Sequence, residues 1–395
     1  VSNRTPAVSA ESLPLTLYVH MPWCVRKCPY CDFNSHQLKS AAPSGDYLDA
    51  LIRDFEAELA DLGGRPIEAI FFGGGTPSLF APDAFARLLQ AFASLGSVAA
   101  DAEVTLEANP GTIERGRFAG YRDAGINRVS LGAQTFAPHA LVRLGRIHSS
   151  EDTYRAVDEL HAAGLHNFNL DLMYALPAQT LEEALEDVRR ACALAPAHIS
   201  HYQLTLEPGT VFHSRPPPLP DEDLAFRMQD ECQTLLAQSG FDQYEVSAYA
   251  RAGARCRHNL NYWGFGDYVG IGAGAHGKIT ASLPHGVHRT EKARQPRTYL
   301  EQLAGAAAAG AGRSGERKAV LAADLPFEFV LNALRLNEGF ALADFESRTG
   351  LEASALQPGL QSALARGLIE FAEPRWRASA LGRRFLNDLQ GGFLP

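Results

Sequence analysis

The sequence predicts an α/β fold: a partial (β/α)6 barrel of TIM type followed by a small helical unit. Three observations carry that prediction. Six short apolar runs in the first half of the chain do not alternate with polar residues. Each is followed by a stretch with helical spacing, and polar residues and glycines collect where the runs end. Strands buried on both faces, as in a parallel sheet covered by helices, read this way. In such folds the chemistry sits at the C-terminal ends of the strands.

The elements follow in order. Residues 15–20 are the first extended run. Residues 46–62 place Leu48, Leu51, Ile52, Phe55, Leu59 and Leu62 at helical spacing. Strand and helix then alternate at 67–72 and 82–95, 103–107 and 112–124, 128–131 and a helical stretch through Leu160, and 168–174 and 181–194. The sixth strand is 199–205. The strand ends read His20 to Pro22, Gly73 to Thr76, Glu107 to Pro110, Gln134, Asp171 and Glu207. Beyond 215 the rhythm changes. Pro216 to Pro218 and Pro220 form a stiff connector, 221–239 is a helix and 243–249 a strand. Five segments result: an N-terminal tail (1–14), the (β/α)6 core (15–215), an extension rich in aromatics and glycine (216–304), an Ala/Gly linker (305–315) and a C-terminal unit (316–395). That last unit offers a long helix with Leu331, Leu334 and Leu336, two shorter helices and a strand pair around Ile369 and Trp376. This order resembles a winged helix.

Composition bounds the function. Of 395 residues 46% are hydrophobic, and acids outnumber bases 45 to 36, for a formal charge of −9. That excludes a general nucleic-acid binder, which carries a basic face. Arg375, Arg377, Arg383 and Arg384 form the one local basic patch, read as a solvated surface. No run of 18 apolar residues spans a membrane, and the first 14 residues lack the layout of a signal peptide. The expectation is a cytoplasmic protein, with peripheral membrane attachment left open.

Three of the six cysteines fall within eight residues, as Cys24-x3-Cys28-x2-Cys31, on the loop after the first strand. Such clustering reads as metal ligation rather than disulfide stapling. Three thiolates can hold three irons of a [4Fe–4S] cluster and leave the fourth iron open. A Cys3His zinc site with His36 and three plain reduced thiols are the alternatives. Cys192 and Cys232 read as core, and Cys256 is left open. After the second strand, Gly73 to Gly75 with Thr76 would let backbone amides approach a ligand.

With that spacing in that position, the chain resembles the radical S-adenosylmethionine (SAM) superfamily. Tyr18, His20, Met21, Pro22 and Trp23 ahead of Cys24, then Gly74, Gly75, Thr76, Glu107, Gln134, Arg146 and Asp171, resemble the oxygen-independent coproporphyrinogen III oxidase family. The resemblance implies a [4Fe–4S] cluster on Cys24, Cys28 and Cys31, and an electron donor to it. It implies that Tyr18 and Tyr30 flank SAM, that Gly74, Gly75 and Thr76 meet its methionyl part, and that Glu107, Gln134, Arg146 and Asp171 contact SAM or a second ligand. Two departures set the chain apart from the oxidases: Phe33 stands where they carry a further cysteine, and only 23 residues precede Cys24. In their place is Cys256-Arg-His258-Asn259-Leu-Asn-Tyr262-Trp263. The pattern His-Asn-x-x-Tyr-Trp is similar to that of the HemW-type heme chaperones, a branch of the same family. It implies heme as a cofactor, His258 as its contact and heme-accepting proteins as partners. Whether the chain is an enzyme is left open, with oxidative decarboxylation of coproporphyrinogen III as the competing reading. Gly272 to Gly277 fits G-x-G-x-x-G, but the extended, proline-stopped segment after it argues against a dinucleotide site.

Overall fold

The computed structural model describes residues 13–38, 44–112, 116–280, 286–308 and 314–395. The expected N-terminal tail lies outside them except for Leu13 and Pro14. Strand β1 (Leu15–Met21) leads into a two-residue parallel ladder of β2 (Trp23–Cys24) and β3 (His36–Gln37). Then come β4 (Ile67–Gly74), β5 (Val98–Ala108), β6 (Arg128–Gln134), β7 (Phe168–Tyr174) and β8 (His198–Gln203). Strands β1, β4, β5, β6, β7 and β8 are parallel neighbours in that order, which is the expected six-unit core. The strands fail to alternate because both faces are covered: six of the seven residues in β7 are buried. Helices Ser44–Leu62, Pro82–Leu95, Arg117–Asp123, Ser150–Ala162 and Leu181–Ala193 are the covers. Two of them start at reciprocal caps, Ser149 with Asp152 and Thr180 with Glu183, where each side chain satisfies the other residue's free N–H.

The sheet does not close into a barrel. It grows at both edges into twelve strands. Strands β9 (Asp242–Glu245) and β10 (Ala248–Ala250) add antiparallel beyond β8. The single strand expected over 243–249 is split because the Glu245 carboxylate accepts both Ser247 N–H, at 2.9 Å, and Ser247 Oγ, at 2.8 Å, and so turns the chain. On the other edge β11 (Asp267–Ile271) pairs parallel with β1. Strands β12 (His276–Thr280), β13 (Val287–Glu291) and β14 (Glu316–Ala319) follow antiparallel. The G-x-G-x-x-G match therefore spans a turn between strands, with no helix inside it. The Ala/Gly segment begins within helix Pro296–Ala308, and 309–313 fall outside the described residues. Residues 316–319, read from sequence as the start of the C-terminal unit, are the edge of the main sheet.

Buried ion pairs hold the added strands. Asp267 accepts from Arg65 at 2.8 Å, Lys278 at 3.0 Å and Thr280 Oγ1 at 2.8 Å, all buried. Lys292 donates to Asp54 at 2.6 Å and Glu58 at 2.7 Å. Buried charges persist when paired and hydrogen-bonded in this way.

The C-terminal unit has helices Leu325–Ala333, Leu342–Thr349 and Gln357–Ala365, then the hairpin of β15 (Ile369–Ala372) and β16 (Arg375–Ala378). Its first helix ends earlier than expected: Leu334 and Leu336 lie beyond it, where Leu336 bridges to Glu245. Phe265, in the turn before β11, and Val287 of β13 share one apolar core with Leu325, Phe329 and Phe345. The four arginines of the basic patch are engaged: Arg375 with the Glu338 and Gly339 carbonyls, Arg377 with Glu370, Arg383 with the Ala378 carbonyl, and Arg384 over the Phe226 ring. Among the described residues no helix is long and apolar enough to cross a membrane.

Candidate functional site

A cavity of about 410 Å³ opens at the C-terminal ends of the parallel strands. Its lining gathers Cys24, Cys28 and Cys31 with Tyr30, Gly74, Gly75 and Thr76. It also gathers Glu107, Gln134, Arg146 and Asp171, residues from strands far apart in sequence. Two expected residues are not in it, Tyr18 and His258.

The ladder of β2 and β3 closes the cysteine loop at its base, and His36 N–H and Leu38 N–H donate to the Pro22 and Cys24 carbonyls. Each thiol meets a donor from a different place: Thr76 Oγ1 to Cys24 at 3.5 Å, Arg146 Nη1 to Cys28 at 3.8 Å, and Ser35 Oγ near Cys31 at 4.0 Å. Burial pushes the Cys24 and Cys31 thiols up, against the hydrogen bonds around them, so metal binding has to displace their protons. Among the described residues no three His, Cys, Asp or Glu groups converge as they would on a single metal ion. A cubane needs no such convergence, because each thiolate binds its own iron. His36 bonds the Arg294 carbonyl at 3.2 Å and lies outside the lining, which removes the zinc alternative's fourth ligand. The three cysteines thus fit a [4Fe–4S] cluster.

The opposite wall fits a small zwitterionic ligand. Gly75 has no room for a side chain: a Cβ would lie 2.5 Å from the Trp23 carbonyl oxygen. Gly74 N–H donates to Glu107 Oε2 at 2.9 Å. Burial, partly offset by that bond and reinforced by Asp171, raises the Glu107 pKa to about 7. Arg146 Nη2 donates to the Gly132 carbonyl at 2.8 Å. Burial opposes its charge, but Tyr30, Cys28 and Tyr202 together outweigh it and raise its pKa. Arg146 Nε and Gln134 Oε1 are buried with no partner among the described residues. Such groups are costly unless a ligand meets them. Gln134 also has φ 62° at a register shift between β6 and β7, a strained backbone typical of ligand sites.

Sequence reasoning missed the support behind Asp171. Asn169 Nδ2 donates to Asp171 Oδ1 at 2.7 Å, and Ser130 Oγ donates to Oδ2 at 3.2 Å. Asn169 Oδ1 meets His198 Nδ1 at 2.6 Å, and His198 Nε2 meets the Tyr244 hydroxyl at 2.9 Å. With the Asn169 amide nitrogen donating to Asp171, His198 Nδ1–H must donate and Nε2 must accept. Burial depresses the His198 pKa well below its ordinary value, in keeping with that neutral tautomer. Tyr202, which meets Gln134 Nε2 at 3.4 Å and lines the cavity, was also missed. Its inward position two residues after Ser200 was the available signal.

Tyr18 and His258 lie beneath this wall. Tyr18 Oη donates to His20 Nδ1 at 3.0 Å, while His20 Nε2–H donates to the Asn34 carbonyl at 2.8 Å. The His258 ring lies 5.1 Å from Phe71 and 6.2 Å from Tyr18, centre to centre. Burial lowers its pKa to about 4, and Nδ1 has no partner among the described residues. The motif is helix Arg257–Trp263, a plug across the sheet's floor. Asn261 ties Thr16 to the Asp267 carbonyl at 3.1 and 2.7 Å. Arg335 of the C-terminal unit stacks 4.2 Å over the Trp263 ring. Cys256 is buried beside Glu103, its thiol pushed up to about 12 by burial, and it is not part of the cavity lining.

Comparison with known proteins agrees with this architecture. Residues 18–191 match the Radical SAM superfamily and residues 320–385 the HemN C-terminal domain. The chain is 48% identical over 383 residues to "Heme chaperone HemW" of Escherichia coli, covering 96% of this chain and 98% of that protein. It is 47% identical over 388 residues to the protein of that name from Haemophilus influenzae, with the same coverage. Among solved structures, coproporphyrinogen III oxidase (HemN) from Escherichia coli superposes with a TM-score of 0.81 at 24% identity, covering 97% of this chain and 92% of that one; this is a likeness of fold. The relation to the two chaperones runs the length of the chain and takes in the cysteine loop, the barrel mouth and the C-terminal unit: the chain belongs to the HemW family of radical SAM proteins.

Proposed function

We propose that this protein is a heme chaperone, binding heme and passing it to acceptor proteins, with a [4Fe–4S] cluster and SAM at the barrel mouth. The observation that carries the reading is the full-length relation, at 48% identity, to proteins named for that activity. Phe33, at the third position's +2 site in the cysteine loop, supports it. Fold likeness alone favours the competing reading, decarboxylation of coproporphyrinogen III.

When bound, the cluster supplies an open iron and one electron that SAM can accept. The residues supply position and charge. Cys24, Cys28 and Cys31 hold three irons. Gly74 and Gly75 let the backbone close on SAM, and Tyr30 covers it. Arg146 Nε, which has no partner among the described residues, suits its carboxylate, and Glu107 and Asp171 suit its cationic groups. Tyr18 acts from behind the wall by fixing His20. As a direct heme contact, His258 needs the floor to open, because Phe71 and Tyr18 cover its ring.

The test is anaerobic reconstitution followed by heme titration and transfer to a heme-depleted acceptor. Binding at micromolar heme with transfer is expected; no binding overturns the proposal. A parallel assay with dithionite, SAM and coproporphyrinogen III is expected to yield no protoporphyrinogen, and product there would favour the competing reading.

A further inference from the structure

Among the described residues, five of the seven large apolar side chains exposed between Leu13 and Ala319 sit at one end of the sheet. Val25 and Phe33 follow β1, Val142 and Ile147 follow β6, and Val211 follows β8. Exposed apolar side chains gathered in one place mark a binding surface. Three observations narrow what this one binds. Phe33, 59% exposed, and Ile147, 40% exposed, line the mouth of the cofactor cavity itself, together with Arg26. The exposure of Phe33 is built in: its carbonyl accepts the Lys27 ammonium at 3.0 Å and Ser35 N–H at 2.7 Å. The Lys27 ammonium is thus held on the backbone of Phe33, and Arg26 lines the same mouth. Among the described residues no histidine lines the cavity.

Resting on the chaperone reading above, we infer that this lip is the heme site. The macrocycle lies on Phe33 and Ile147, its propionates reach Arg26 and Lys27, and it stays outside the space that the cluster and SAM fill. Asp32, which also lines the mouth, repels propionates and so fixes which edge of the macrocycle faces the cations. The apolar face and the propionates carry the binding, with no histidine of the described cavity lining to ligate the iron. A flat macrocycle suits the lip better than a protein surface does, because the inner part of the lip belongs to a concave mouth.

The test uses the full-length protein with its cluster reconstituted. Heme, iron-free protoporphyrin IX and the protoporphyrin dimethyl ester are titrated anaerobically and followed by tryptophan quenching. Protoporphyrin IX is expected to bind within about threefold of heme. Phe33→Asp and Ile147→Asp should each weaken both ligands at least about tenfold, as truncated hot spots do, with iron and sulfide content unchanged. Arg26→Gln should weaken both acids but not the dimethyl ester. His258→Ala should leave protoporphyrin IX binding unchanged. Should Phe33→Asp lose its cluster, Ile147→Asp on a separate segment decides. Lip variants that bind heme like the wild type, or heme binding without protoporphyrin binding, overturn the inference. A wild type that binds no heme overturns the chaperone reading itself, a different result from intact heme binding that ignores the lip.

Discussion

The two ends of the parallel strands contrast in how their polar groups are satisfied. At the mouth, Arg146 Nε and Gln134 Oε1 have no partner among the described residues, Gln134 is strained and the Glu107 pKa is raised to about 7. At the floor and along the added strands, Asp267 has four donors, and Lys278 and Lys292 are fully paired. The mouth is built for a ligand that completes it, whereas the ion pairs of the floor and the added strands are complete, although His258 Nδ1 and Asn261 Oδ1 of the floor helix and Arg335 Nε at the seam have no partner among the described residues. A substitution should therefore change binding at one end and stability at the other.

The largest expected effect is at the mouth. Cys28→Ala removes one of three cluster ligands, and cluster loading should fall to near zero, read as iron and sulfide per chain. The fold should survive, because Cys28 lies on a loop outside the sheet and its apolar core. A variant that retained a full cluster would break the contrast at once.

The floor supplies the next effect. Asp267→Ala leaves Arg65 and Lys278 buried without their carboxylate. Breaking a buried pair from one side costs about 3–5 kcal/mol, so the urea midpoint should drop sharply. If the variant still folds, its cluster content should match the wild type.

These two ends were not equally legible in the sequence. The cysteine loop and the glycines announce themselves by residue type and spacing, and the six strands by apolar runs too short for helices. Asn169, His198 and Tyr244 do not, because inward polar residues on buried strands look like any others until the strands are laid side by side. The reading of 243–249 as one strand failed on the Ser247–Glu245 turn, a side-chain bond that periodicity does not see. The motif of His258 was visible, but its place was not. A short helix with His, Asn, Tyr and Trp suits a ligand site and a structural plug equally well, and only the neighbours Phe71, Thr16 and Arg335 tell them apart.

Glu107 allows a smaller, pH-dependent test of the mouth. Its folded pKa of about 7 lies above the ordinary 4.5. Between those values the folded chain keeps a proton that the unfolded chain has released, so stability falls as pH rises through the window and stays lowered above it. Glu107→Gln removes that slope. Relative to wild type the variant should gain roughly 1–2 kcal/mol between about pH 5 and pH 8, read from urea midpoints at both. Other raised carboxyls, such as Asp187 at about 6, cancel in the difference between the two proteins. SAM affinity should fall in the same variant, since a neutral amide no longer attracts its cationic groups.

The smallest effect concerns the seam. Arg335 lies 4.2 Å over the Trp263 ring and also reaches Glu245 at 3.2 Å, so it joins the motif helix to the C-terminal unit. A cation over an aromatic face in a partly buried setting contributes about 0.5–2 kcal/mol. The double-mutant cycle of Trp263→Leu with Arg335→Met should give a coupling near 1 kcal/mol in urea unfolding. Leu keeps apolar contact and Met keeps the stem of Arg335, so the cycle isolates the charge on the ring. Cluster loading, SAM binding and heme binding should be unchanged in all three variants. If Trp263→Leu instead weakened heme binding with the coupling at zero, the aromatic end of the motif would contact the ligand, and the division between a reactive mouth and a structural floor would have to be redrawn around it.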